Sequence, residues 1–247
     1  MRSPHIKSTI SGPLRHIKNR IFHYKGPAPL RAIVTAPPRS GTSFLAGLLV
    51  QMGLSPGPEK WLKEADEHNP YGYYECLPLM YIENEVLKKL GGSYNNIPEF
   101  PPVWTDLFEK EKRQIEKIVK NGGIEVYKGN RLLVLADLYI ELFPQARWIM
   151  ILRNEWDTFN SEFGKESYEK ELGRPLTRQE WMNLRQKRFD VWNNSRASLK
   201  CLIVRYEDFK SEPERMVLRI ANHVGVTLHS DKLQKCVDFF RPSEKRE

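Results

Sequence analysis

Residues 33–53 read IVTAPPRSGTSFLAGLLVQMG, and the reading of this stretch decides the fold. The apolar run Arg31–Ala36 predicts a short buried strand. Phe44, Leu45, Leu48, Leu49 and Met52 recur at helical spacing, so a helix is expected over Thr42–Met52, ending at Gly53. Between them lies Pro37-Pro38-Arg39-Ser40-Gly41-Thr42-Ser43. A tight turn from a strand into a helix presents free backbone N–H groups and the positive end of the helix dipole, which favour an anion. Gly41 permits close backbone approach, Ser40, Thr42 and Ser43 supply hydroxyls, and Arg39 supplies a charged fork. The nucleoside-triphosphate loop requires G-x-x-x-x-G-K-[ST]. Here Ala36 stands at its first glycine and Thr42 at its lysine, so an ATP or GTP loop is not expected. The plainer alternative is a Ser/Thr-rich helix cap with no ligand.

Outward from this stretch, strand-like and helix-like segments alternate. Helices are expected over Leu79–Leu90, Leu107–Lys120, Thr177–Leu199, Pro213–Val224 and Ser230–Phe240. Strands are expected over Ile124–Tyr127 (followed by a helix to about Phe143), Arg147–Leu152 and Cys201–Tyr206. The strands are apolar throughout rather than alternating. That pattern predicts an α/β fold of three layers, a central parallel sheet flanked by helices on both faces, with ligands at the carboxyl ends of the strands. Residues 31–247 read as one domain behind a basic N-terminal arm, 1–30, which is either a leader or a contact for an anionic partner.

The chain of 247 residues carries a net charge of +8. That excess suits an anionic partner, and with no nucleic-acid-binding signature a small anionic ligand is favoured over DNA or RNA. The three cysteines, Cys76, Cys201 and Cys236, lie far apart without a CxxC pair. They read as free thiols, with no zinc site expected. No apolar run of about 18 residues is present to span a membrane, and no signal-peptide core precedes the domain, so a cytoplasmic location is expected.

A second stretch, ILRNEWDTFNSEFGK over 151–165, places Arg153 at the end of a strand. Helical spacing then sorts Trp156, Phe159 and Phe163 onto a core-facing stripe and Asn154, Asp157 and Ser161 onto a polar one. Arg153 and Ser161 can thus converge on one phosphate, with Asp157 bracing the loop; a solvated helix face is the alternative. Together, P-R-S-G-T-S after a first strand and R-N-x-x-D-x-x-x-S after a later one resemble the sulfotransferase superfamily. Its first element grips the 5′-phosphosulfate of 3′-phosphoadenosine 5′-phosphosulfate (PAPS), and its second grips the 3′-phosphate. LIVRYEDFKSEPERMVLRIANHVGV, 202–226, resembles the family's Y-E-D segment, with Tyr206 at the tyrosine near the nucleotide. IEVYKGNRLLVLADLYIELFPQARWIMILRN, 124–154, resembles its strand–K-x-x-R–helix–strand segment.

The resemblance implies a PAPS-dependent sulfotransferase, closer to bacterial and Golgi-type members than to the cytosolic eukaryotic branch. That branch has lysine at Arg39, tryptophan at Phe44 and a C-terminal R-K-G segment; Arg241 or the N-terminal basic residues are possible replacements for the last. Ser40, Gly41, Thr42 and Ser43 would hold the 5′ end, with Arg39 and Lys128 stabilising the transferring group and its leaving phosphate. No metal is required by this scheme. The cytosolic branch's histidine base falls at Asn130, which is no base, so the base is sought in EADEHNPYGYYECLPLMYIENEV, 64–86. Asn69 through Glu75 resembles N-P-x-G-x-x-E of bacterial members, making Glu75 the first candidate and His68 the second; Glu67 and Asp66 follow. Trp61, Tyr71, Tyr73 and Tyr74 either line an acceptor pocket or pack the loop. The acceptor would be a small-molecule, lipid or carbohydrate hydroxyl or amine. The rivals are a nucleotide kinase or NTPase with an atypical loop, and a silent protein that binds nucleotide or anionic polymer.

Overall fold

The computed structural model of the chain describes residues 30–66, 69, 72–100, 107–162 and 174–240. The basic arm up to residue 29 and Arg241 lie outside the described residues, as do Glu67, His68, Tyr71 and Phe163.

Among the described residues four parallel strands form the sheet: β1 (Ala32–Thr35), β2 (Val126–Lys128), β3 (Arg147–Leu152) and β4 (Cys201–Arg205), in the order β2-β1-β3-β4. Ala32, Ile33, Val34 and Thr35 are all fully buried. Because successive strand residues point to opposite faces, both faces of the sheet centre are covered. The pairing of Val34 with Lys128 and with Ile149 fixes the register of the central three strands. The chain leaves β1 for β2 on one side and then crosses to β3 on the other. The crevice between β1 and β3, at their carboxyl ends, is therefore the point where strand order reverses.

The described helices are α1 (Thr42–Gln51), α2 (Leu77–Lys89), α3 (Glu109–Gly122), α4 (Ala136–Leu142), α5 (Glu155–Glu162), α6 (Arg178–Asn194), α7 (Asp208–Ser211), α8 (Pro213–His223) and α9 (Ser230–Asp238). Leu45, Leu48 and Leu49 of α1 are fully buried, each contributing about 1.5–3 kcal/mol relative to exposure. Gly47 lets α1 meet the chain's C-terminal segment: a Cβ there would lie 2.7 Å from the Phe239 ring and 3.1 Å from Tyr74.

The elements expected from periodicity are present, with shifted ends. β2 begins at Val126 rather than Ile124, because the Ile124 N–H closes the end of α3 on Val119. The helix expected after β2 is split into a 3-10 turn, Asn130–Leu133, and α4. The helix expected to reach Leu199 stops at Asn194, where the Ser195 hydroxyl and N–H both bond the Trp192 carbonyl. Trp156 overturns its expected core position. It lies 53% exposed in the first turn of α5, with the Arg178 guanidinium 4.9 Å over its ring. Thr158 takes the fully buried place instead, while Phe159 packs edge-on against Trp181 at 5.3 Å.

Candidate active site

The loop after β1 is shaped by two residues in the left-handed region, Arg39 at φ 63° and Gly41 at φ 101°. For arginine that conformation is strained, and such strain gathers at functional sites. A Cβ at Gly41 would meet the Tyr206 ring at 2.8 Å, so only glycine fits between the loop and that ring. Helix α1 then starts with no side-chain cap and no acidic residue in its first turn. By contrast α6 begins with a full capping box, Thr177 and Glu180 bonding each other's backbone. An uncapped N-terminus lined by Ser40, Thr42 and Ser43 leaves donors for an anion. Ser40 and Thr42 are buried, and the Thr42 hydroxyl lies 3.5 Å from Asn130 Oδ1.

Across the crevice, Arg153 follows the last residue of β3, and α5 begins at Glu155. Asn154 is the cap of this helix: its Oδ1 accepts from the N–H groups of Trp156 and Asp157 at 2.9 and 3.2 Å. Its own N–H donates to Glu207 at 2.7 Å, which ties the end of β3 to the segment after β4. Arg153 sits with Asp157 Oδ2 4.0 Å from Nε and its guanidinium 5.3 Å over the Tyr206 ring. Ser161 is reached from the opposite side, for Arg39 Nε donates to its hydroxyl at 2.9 Å. Residues assigned from sequence to opposite ends of one nucleotide, Arg39 and Ser161, thus stand within hydrogen-bonding distance. Tyr206 lies against both Gly41 and Arg153.

The third part lies at the end of β2. Lys128 is 2% exposed and Glu75 is 8% exposed, and Lys128 Nζ donates to Glu75 Oε1 at 2.5 Å. Burial pushes the Lys128 ammonium below the ordinary lysine range; Glu75 opposes this, and the charges of Lys63 and Arg39 reinforce it. Lys63 is a residue that sequence reasoning missed. Its N–H bonds the Glu75 carbonyl at 2.8 Å, and its ammonium lies 3.7 Å over the Tyr73 ring. The only signal for it was its place in the loop before Glu75. Three cations thus act on one another here, and an anion among them relieves their repulsion.

The other loop candidates part company. Asp66 accepts from the Tyr73 hydroxyl at 2.7 Å, and burial followed by this bond pushes the phenol up to about 12. Asp66 is exposed, whereas Glu75 is buried beside Lys128. Trp61 serves packing: a Cβ on Gly122, at the end of α3, would lie 2.5 Å from its ring. Among the described residues no group of three or more histidine, cysteine, aspartate and glutamate side chains is arranged to hold a metal, and no helix is long and apolar enough to cross a membrane.

Behind this pair sits a carboxyl that sequence reasoning also missed. Glu83 of α2 is fully buried and accepts from the Tyr127 hydroxyl at 2.7 Å and the Tyr139 hydroxyl at 2.8 Å. Burial raises its pKa from 4.5 to about 7, against Arg131 and the two phenol bonds, which lower it. A signal was available: Leu79, Ile82, Glu83, Val86 and Leu87 form the buried stripe of α2, so a carboxylate occupies a core position.

Residues 31–231 match a family model described as the sulfotransferase family. In structure the chain is similar to sulfotransferase STF1 from Mycobacterium tuberculosis H37Rv, at 18% identity and a TM-score of 0.51, with 85% of this chain and 71% of that one covered. It is also similar to sulfotransferase STF9 from Mycobacterium avium, at 14% identity and a TM-score of 0.53, covering 95% and 73%. At these identities the likeness to solved structures concerns the fold. No curated protein matches the chain in sequence.

Proposed function

The chain belongs to the sulfotransferase family, and from that premise we propose that it moves a sulfuryl group from PAPS to a hydroxyl or amine of an acceptor. The carrying observation is the convergence of Arg39, Ser161, Arg153 and Tyr206 at the switch point, with the buried Lys128–Glu75 pair beside them. This is a crevice for a mononucleotide bearing two separated anions. PAPS supplies the activated sulfuryl group and a phosphate leaving group.

The residues present suit that ligand. The uncapped start of α1, with Ser40, Gly41, Thr42 and Ser43, holds the 5′ end. Arg153 and Ser161 hold the 3′-phosphate, and Tyr206 packs on the nucleotide side of Gly41. Arg39 exchanges its bond to Ser161 for one to the 5′ end. Lys128, once released from Glu75, would stabilise the negative charge that develops on the side of the leaving phosphate. The Glu75 carboxylate, released from Lys128, accepts the acceptor's proton as the new bond to sulfur forms. The electron pair of the broken sulfur–oxygen bond would leave with the phosphate, which Arg39 and Lys128 would stabilise. The acceptor belongs to the small-molecule, lipid or carbohydrate alcohols and amines.

Calorimetric titration with 3′-phosphoadenosine 5′-phosphate, with AMP, and with ATP plus magnesium tests this reading. The bisphosphate is expected to bind tightest, and Arg153→Ala to weaken it selectively. A preference for ATP with magnesium would overturn the proposal.

A further inference from the structure

The segment carrying Glu75 and the strand carrying Lys128 are fastened at two points. The first is the Lys128–Glu75 pair, which the proposed reaction must open on every turnover. The second is Glu83, eight residues beyond Glu75, which accepts from the hydroxyl of Tyr127, the residue before Lys128, at 2.7 Å. Tyr127 is 1% exposed, and its hydroxyl packs against Gly129, where a Cβ would lie only 3.2 Å away. Gly129 is itself held from β1: its N–H donates to the Val34 carbonyl at 3.1 Å, and its carbonyl accepts from the Thr35 hydroxyl at 3.1 Å. Residues 127–129 are thus pinned by β1 on one side and by Glu83 on the other. β2 is three residues long and lies at the edge of the sheet; among the described residues β1 is the strand paired with it, and on its other side the Val126 N–H bonds the Ser55 carbonyl at 3.0 Å.

We propose, resting on the sulfotransferase reading, that Glu83 is a positioning residue: through Tyr127 it holds α2 against β2 and keeps Glu75 and Lys128 in place while their direct contact is open. Tyr139 donates from α4 to the same carboxyl oxygen, Oε1, at 2.8 Å, and its ring stacks on that of Tyr127 at 5.6 Å. It does not belong to the strand that carries Lys128. The two tyrosines are therefore alike in burial and in bond partner, and different in what they hold.

That difference supplies the test. Tyr127→Phe and Tyr139→Phe each remove one buried phenol bond and are expected to lower stability by similar amounts. Only Tyr127→Phe is expected to lower kcat, by about tenfold or more, since small misplacements of reacting groups carry penalties of that order. Both should leave the affinity for 3′-phosphoadenosine 5′-phosphate within about twofold of the wild type. Glu83→Gln retains a carbonyl able to accept from both phenols, and kcat is expected within about threefold. Unchanged kcat in Tyr127→Phe, or equal losses in the two tyrosine variants, would overturn the inference. If the wild type transfers no sulfuryl group from PAPS, the functional reading fails first. Labelling of Lys128 by an amine reagent then decides the positioning role: faster labelling in Tyr127→Phe alone supports it, and equal labelling in both variants refutes it.

Discussion

Glu75 and Asp66 carry the same functional group on one loop, and their surroundings separate them. Asp66 is exposed and occupied by a phenol, while Glu75 is buried against an ammonium whose proton affinity burial has reduced. A carboxylate released from such a partner in a water-poor site is a competent base. Glu75→Gln is accordingly expected to reduce kcat by about 10²–10⁴ while the bisphosphate product still binds, measured by turnover and calorimetry on one preparation. Retained turnover would move the base to His68, which lies outside the described residues. Glu83 makes a separate prediction about stability. Below 4.5 both folded and unfolded chains carry its proton, and between 4.5 and about 7 only the folded chain does. The folded state binds the extra proton, so stability falls as pH rises through that window, by about 3 kcal/mol from this group. Urea denaturation at pH 5 and pH 8 should show the loss in the wild type and a flatter dependence in Glu83→Gln.

Helix α1 is the element on which the site is built, and its two ends obey different constraints. Its N-terminus is left open for an anion, whereas its middle is packed so closely that Gly47 admits no side chain. Gly47→Ala gains about 1 kcal/mol in helix propensity but forces a methyl into the Phe239 and Tyr74 rings, and overpacking of that kind costs about 1–3 kcal/mol. The expected net result is a modest loss of stability in denaturant titration. Helix α5 shows how an amphipathic reading goes astray at a helix end. Trp156, Phe159 and Phe163 share a face by spacing, yet Trp156 falls in the first turn, where the chain has only just left β3. The Arg178 guanidinium covers it, so a stacked cation takes the place of the core.

At the scale of the molecule, the sheet order β2-β1-β3-β4 gathers the functional groups. Three adjacent strands, β2, β1 and β3, each end in a group the proposed chemistry uses: Lys128, the loop of Arg39 to Ser43, and Arg153. In the proposed reaction Arg39, Lys63 and Lys128 would supply the positive charge for the leaving phosphate, so EDTA is expected to leave the turnover rate unchanged. Inhibition reversed by added magnesium would point to a metal-dependent reaction instead. The net charge of +8 would add a long-range attraction for the proposed nucleotide, whose affinity is expected to fall as ionic strength rises.

Short-range pattern was enough for much of this. Apolar strand runs, helical spacing and the P-R-S-G-T-S and R-N-x-x-D-x-x-x-S stretches are local signals. They placed the parallel α/β architecture, the sulfotransferase family and most of the elements, because a strand or a helix is specified by neighbours a few residues away. The relations among distant residues were decided by the tertiary structure. Arg39 meets Ser161 across 122 positions, and Lys128 meets Glu75 across 53. Lys63, Glu83 and the Tyr127–Tyr139 pair carried no motif of their own. Their importance arises only when α2 closes over the edge of the sheet and removes water from charges that would otherwise be solvated. Burial, which changes proton affinity and makes each polar partner indispensable, is a property of that packing rather than of any single stretch of chain.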